Sequence, residues 1–241
     1  MLFRSLGEVF EYIKKSGKRC IIAIDEFQQI LEYPEKGVEA LLRSYSQFAP
    51  NAGFVFAGSK DRLMREMFST AKRPFYQSAE NLILGEIPQD IYRKFAKRLF
   101  AKAERELSDA AFDLIYTALF GHTWYVQSAL NRAYAFGKKL TNEQVAREAL
   151  DAAIENGSAT YKLYCETLPK GQLAVLRAIA AEGTVAAPTS GKFIARHSLG
   201  AASSVRQAIA ALSDKTFVLR GEDGAYSVGD RFFGLWLASS L

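Results

Sequence analysis

The chain has 241 residues, 49% hydrophobic and 24% charged, with a formal net charge of +5. That supplies one large or two to three small soluble cores, and its apolar runs fall well short of the roughly 18 residues of a membrane span, so a cytoplasmic location is expected, without transmembrane helix or signal peptide. Two distant cysteines, Cys20 and Cys165, without a ligand motif beside either, exclude a disulfide framework and read as reduced structural thiols.

Leu2, Leu6, Val9, Phe10 and Ile13 lie on one face of a predicted helix that Gly17 ends. The uninterrupted apolar run Cys20 to Ile24 fits a strand covered on both faces, as in a parallel sheet, and it ends in Asp25-Glu26. A helix with Val38, Leu41, Leu42, Tyr45 and Phe48 in register follows, then a turn at Pro50 to Gly53 and a second strand, Phe54 to Ala57, closed by Gly58-Ser59. After a helix from about Asp61, a third strand is predicted at Leu82 to Leu84. Residues 1–88 therefore read as an α/β domain in which strand and helix alternate.

Residues 89–157 read as an all-α bundle, with Ile91, Phe95 and Leu99 on the first apolar face and a capping box, Thr141 to Gln144, opening its last helix. The polar run Glu155 to Ser158 is the expected boundary. Residues 158–241 place a helix at Leu173 to Ile179, a short helix around Phe193, a helix from Ser204 with its own capping box to Gln207, and a hairpin. That hairpin pairs Phe217 to Arg220 with Ala225 to Val228 across Gly221-Glu222-Asp223-Gly224. Three helices and a hairpin make a winged helix-turn-helix.

Apolar strand residues followed by Asp-Glu form the Walker B pattern. The apolar run buries the strand, so the acids emerge at its C-terminal end, where open α/β sheets bind ligands. In that setting Asp25 would hold Mg²⁺ through water and Glu26 would polarise an attacking water. The plain alternative is that both acids start a solvated loop. Ser59, at the end of the adjacent strand, stands where a polar sensor of the γ-phosphate would sit; it equally suits the cap of the following helix.

In order along the chain, Ile21 to Gln28, Phe54 to Ser59, Arg73 to Ser78, Gly121 to Gln127 and Asp230 to Leu237 resemble the STAND-like, archaeal-type family of P-loop ATPases. The resemblance spans essentially the whole chain. It implies a nucleotide domain, a helical lid and a winged helix, with catalytic Asp25, Glu26 and Ser59, ATP and Mg²⁺ as cofactors, and lid residues Gly121, Trp124 and Tyr125 folding over the nucleotide. Gln77 and Ser78 stand where many members carry an arginine, so no arginine-finger role transfers, and Thr123 replaces a common proline.

The larger departure is the phosphate loop. Gly-x-x-x-x-Gly-Lys-Ser/Thr wraps phosphates in backbone N–H groups, and no such segment occurs in the 241 residues. The resemblance places it, with two strands, before the helix at Leu2 to Lys15, so the chain is expected to be truncated or degenerate and inactive alone. Its missing central strand would leave sheet edges unpaired, open to a protein partner or self-association.

The alternative function is a non-catalytic winged-helix protein binding DNA or protein. Lys192, Arg196, Arg206, Lys215 and Arg220 are the candidate phosphate contacts, with Arg206, Lys215 and Arg220 central, but the wing tip is acidic at Glu222-Asp223. Trp124-Tyr125 and Phe232-Phe233-Trp236 suit core packing better than base stacking, and lone His122 and His197 make no zinc site.

Overall fold

The computed structural model describes residues 2–221 and 223–239, of which the side chains of 2–5 and of Asp61 are not described. It divides into two compact units, residues 1–84 and 85–241. The first is built from α1 (Leu2–Ser16), β1 (Cys20–Ile24), a 3-10 turn (Phe27–Glu32), α2 (Val38–Gln47), β2 (Ala52–Phe56) and α3 (Asp61–Ser69). Gly17, at φ 62°, takes the left-handed turn that stops α1.

β1 and β2 run parallel in register from Cys20↔Ala52 to Ile24↔Phe56, with α2 as the crossover between them. On the covered face Ile24 and Phe56 pack onto Phe27, Val38, Leu42, Met67, Phe68 and Phe75. Phe10 of α1 stacks on Tyr45 at 4.8 Å and on Phe54 at 6.0 Å, on the same side. The expectation of a strand covered on both faces is corrected here. The helices all pack on one face, leaving Ile21 80% and Val55 52% exposed on the other.

Leu82 to Leu84 form no strand, and Leu82 and Leu84 are 84% and 86% exposed. An extended apolar triplet becomes a strand only when another edge satisfies its backbone groups. The sheet in this unit has only β1 and β2 among the described residues.

The second unit opens with α4 (Gln89–Ala101), β3 (Glu106–Leu107), α5 (Asp109–Ala118), α6 (Thr123–Ala135), β4 (Leu140–Thr141) and α7 (Glu143–Thr167). It continues with α8 (Lys170–Glu182), β5 (Thr184–Val185), α9 (Gly191–Arg196), α10 (Ala202–Asp214), β6 (Val218–Arg220), β7 (Tyr226–Val228) and α11 (Arg231–Ser239). One hydrophobic core runs through it, from Tyr92 and Phe112 to Leu176, Leu212 and Leu237. The predicted winged helix is present, its hairpin extended to a sheet of order β5-β7-β6. Within the wing turn, Glu222 lies outside the described residues.

Several expectations change. The polar run at 155–158 is not a loop, because α7 passes through it without a break. On α4 the core takes Tyr92, Ala96 and Phe100, while Ile91, Phe95 and Leu99 are exposed; the two rows share one helical spacing, and only the neighbouring helices choose between them. Thr141 is drawn into β4, which pairs with β3, so Asn142 caps α7 instead, its side chain accepting from Val145 N. Helix α10 starts at Ala202, which puts Ser204 inside the helix and leaves the N-cap, Ala201, without a side-chain bond.

Candidate functional site

Parallel pairing of β1 and β2 continues one step beyond the strands. Ala57 N donates to Ile24 O at 2.9 Å and Phe27 N to Ala57 O at 2.9 Å. These bonds lay residues 25–26 beside residues 58–59 at one end of the sheet. The chain turns sharply there, with Glu26 in the left-handed region at φ 48° and ψ 42°. Such a backbone is uncommon for a residue with a side chain and concentrates at functional turns.

The turn directs three side chains together. Ser59 Oγ donates to Glu26 Oε2 at 2.9 Å, and Gln28 Nε2 donates to the same oxygen. Asp25 Oδ1 accepts from Glu26 N at 2.9 Å, within an exposed carboxylate. The bonds from Gln28 and then Ser59 hold the Glu26 carboxyl below the usual glutamate range, because both favour its charged form. Ser59 caps no helix: the N-cap of α3 is Lys60, without a side-chain bond, and Lys60 Nζ instead reaches Glu32 at 3.4 Å. Asp25, Glu26 and Ser59 thus lie together at one end of the sheet.

Sequence reasoning missed Gln28. It is 1% exposed, one of three buried polar residues among those described. Its available signal was its place directly after the Asp-Glu-Phe segment, on a turn too short for periodicity to assign a buried face.

In the second unit, Gly121 takes φ 71° after α5, and its N–H donates to Tyr116 O at 2.8 Å. A Cβ there would lie 2.7 Å from the Tyr116 ring. Trp124, on the first turn of α6, is 62% exposed, whereas Tyr125 packs edge-on to His122, Trp124 and Phe232. Burial raises the Tyr125 hydroxyl above its ordinary pKa and lowers that of His122, the latter with help from Arg231. Phe232 and Phe233 belong to the core.

The winged helix offers few free cations. Arg220 Nε donates to Gly224 O at 3.2 Å and its guanidinium lies over the Tyr226 ring, so it braces its own wing. Arg196 pairs with Glu182 at 2.8 Å. Lys192, Arg206 and Lys215 are exposed. Both cysteines are free thiols, and no group of three or more His, Cys, Asp or Glu among the described residues could hold a metal ion. No described helix is long and apolar enough to cross a membrane.

Comparison with known proteins bears on the fold. Residues 159–239 match the family described as "Probable winged helix domain". The chain superposes on the Walker-type ATPase PABY2304 of Pyrococcus abyssi with a TM-score of 0.64 and 17% identity, over 98% of this chain and 68% of that one. On the ORC2 protein of Aeropyrum pernix, in ADPNP-ADP complexes, the TM-score is 0.55 with 16% identity, over 96% and 66%. On a mutant of Thermotoga maritima RuvB it is 0.50 with 16% identity, over 92% and 71%. The chain thus spans about two thirds of the length of these solved structures. A search of curated protein sequences gives no match. At such identities the likeness speaks to architecture: the chain has a mixed α/β fold like that of P-loop ATPases, with a winged helix domain at residues 159–239.

Proposed function

We propose that this chain is the Walker B, lid and winged-helix portion of an ATP-binding regulatory ATPase of the STAND-like type. The observation that carries the reading is the bond from Ser59 Oγ to Glu26 Oε2, which sets an acid and a polar residue from adjacent parallel strands side by side at one sheet end. Asp25, exposed and next to that pair, suits a water-mediated hold on Mg²⁺; Glu26 is the water-polarising base and Ser59 the γ-phosphate sensor. Bound ATP would supply the transferable phosphoryl group. Gly121, Trp124 and Tyr125 are the lid contacts in this reading, and nucleotide occupancy is the input that the winged helix reports.

The 241 residues hold no Gly-x-x-x-x-Gly-Lys-Ser/Thr segment, so the acids have no phosphate cradle within this sequence. In this reading that segment comes from additional polypeptide, and the chain by itself hydrolyses no ATP. Calorimetry is expected to give no Mg-ATP binding to the 241-residue chain. A longer polypeptide that includes a phosphate loop is expected to bind and turn over ATP, and to lose turnover in Glu26→Gln. Binding by the chain alone would overturn the missing cradle, and turnover indifferent to Glu26→Gln would overturn the assigned base.

The open sheet face fits a protein partner or a second copy, because Ile21 and Val55 expose apolar surface on a sheet that has only two strands among the described residues, and the triplet Leu82 to Leu84 is exposed as well. Sedimentation is expected to show concentration-dependent association that the double variant Ile21→Lys/Val55→Lys abolishes; a monomeric parent chain refutes it. Duplex DNA is the weaker ligand. Arg196 and Arg220 are engaged within the fold, and phosphate affinity needs several free cations together.

A further inference from the structure

We propose that Gln28 is the positioning residue for Glu26, holding its carboxylate so that one chosen oxygen is left for an incoming water or ligand. Gln28 sits in the 3-10 turn directly after the acids and is 1% exposed. Its Nε2 donates to Glu26 Oε2, the oxygen that also receives Ser59 Oγ. The amide orientation follows from chemistry, since only the nitrogen can donate to a carboxylate. Both donors converge on Oε2, so Oε1 receives neither of them.

Packing alone does not call for an amide here. Gln28 Oε1 is buried with no hydrogen-bond partner among the described residues, a state that disfavours a polar side chain, and a leucine would fill similar volume without an orphaned acceptor. What distinguishes glutamine at this position is its bond to Glu26. The neighbouring strand end is shaped to admit it. A Cβ on residue 58 would fall 2.3 Å from Gln28 Oε1 and 2.6 Å from Met64 Sδ, so Gly58 leaves the space into which the amide fits. Glu26 meets this donor pair because its left-handed backbone returns the side chain toward the 3-10 turn and Ser59.

The meaning of this arrangement rests on reading Glu26 as the water-polarising acid, but the arrangement itself is testable without nucleotide. Side-chain amide NMR of the 241-residue chain, with the Gln28 signal assigned by its loss in Gln28→Leu, reads the bond directly. The Gln28 amide protons are expected to exchange with solvent at least about tenfold more slowly than those of exposed Gln29 and Gln47. Their resonances are expected to move in Glu26→Gly, which suits the left-handed backbone and removes the acceptor, and in Gly58→Ala, which displaces the amide. A Gln28 held by packing alone would keep its slow amide exchange in Glu26→Gly, whereas a Gln28 held by the carboxylate exchanges faster there. Exchange as fast as that of Gln29 in the parent chain, or slow exchange retained in Glu26→Gly, would overturn the proposal. If Gln28→Leu fails to fold, sequential assignment of the isotope-labelled parent chain identifies the Gln28 amide instead. A failed Mg-ATP experiment would leave this result standing, so the two readings fail separately.

Discussion

Phe27→Ala is expected to unfold residues 2–84 while residues 85–239 keep their structure. Phe27 is fully buried, and its ring meets Phe56 at 4.4 Å, Phe75 at 5.1 Å and Phe68 at 5.9 Å. It is the common member of those pairs, in a core of six buried residues. Truncating a buried phenylalanine costs about 3–5 kcal/mol, while whole domains are stable by about 5–15 kcal/mol and small ones sit at the low end. The first unit, with one sheet face open to solvent, has little reserve against such a loss. Hydrogen exchange resolved along the chain is the measurement: protection is expected to collapse in the first unit and persist in the second. Phe27→Leu, which keeps most of the volume, is expected to cost below about 1.5 kcal/mol. Unchanged protection in Phe27→Ala would show that the aromatic cluster does not hold the unit together.

Gly157→Ala is expected to destabilise the second unit, opposite in sign to the usual effect of that substitution in a helix. In an exposed helix interior alanine is favoured over glycine by about 1 kcal/mol. At residue 157 the added Cβ would lie 2.3 Å from Tyr161 Cζ. The Tyr161 ring cannot swing aside freely, because it is 6% exposed, stacks on Phe233 at 5.0 Å and lies 5.9 Å from Trp236. Overpacking of this kind costs about 1–3 kcal/mol and exceeds the propensity gain. Gly171, on the first turn of α8 with nothing within 4 Å of the site of a Cβ, is the matched control. There Gly→Ala is expected to raise the urea midpoint slightly, whereas Gly157→Ala lowers it. A raised midpoint in both would mean that Tyr161 relaxes without cost.

Gly157 also shows where sequence reading fails. A glycine among Glu155, Asn156 and Ser158 has the composition of a linker, yet it lies within a 25-residue helix, because a tyrosine four residues later needs the space that a side chain would take. The requirement comes from α11, whose Phe233 pins that tyrosine, and no local window contains both.

The same division runs through the whole protein. The apolar runs of β1 and β2, the acids at the strand end, the left-handed stop at Gly17 and the winged-helix order were legible in the sequence. Each depends on neighbours a few positions away: alternation, helical spacing, or a glycine where φ must be positive. Other features belong to the tertiary structure alone. These are the choice of Tyr92, Ala96 and Phe100 over the equally spaced Ile91, Phe95 and Leu99, the capture of Thr141 by a strand so that Asn142 becomes the cap, the open face of the sheet, the unpaired Leu82 to Leu84, and the buried amide of Gln28 beside Glu26. Each depends on which distant surface arrives to cover or pair with a segment, and local spacing carries no information about that surface.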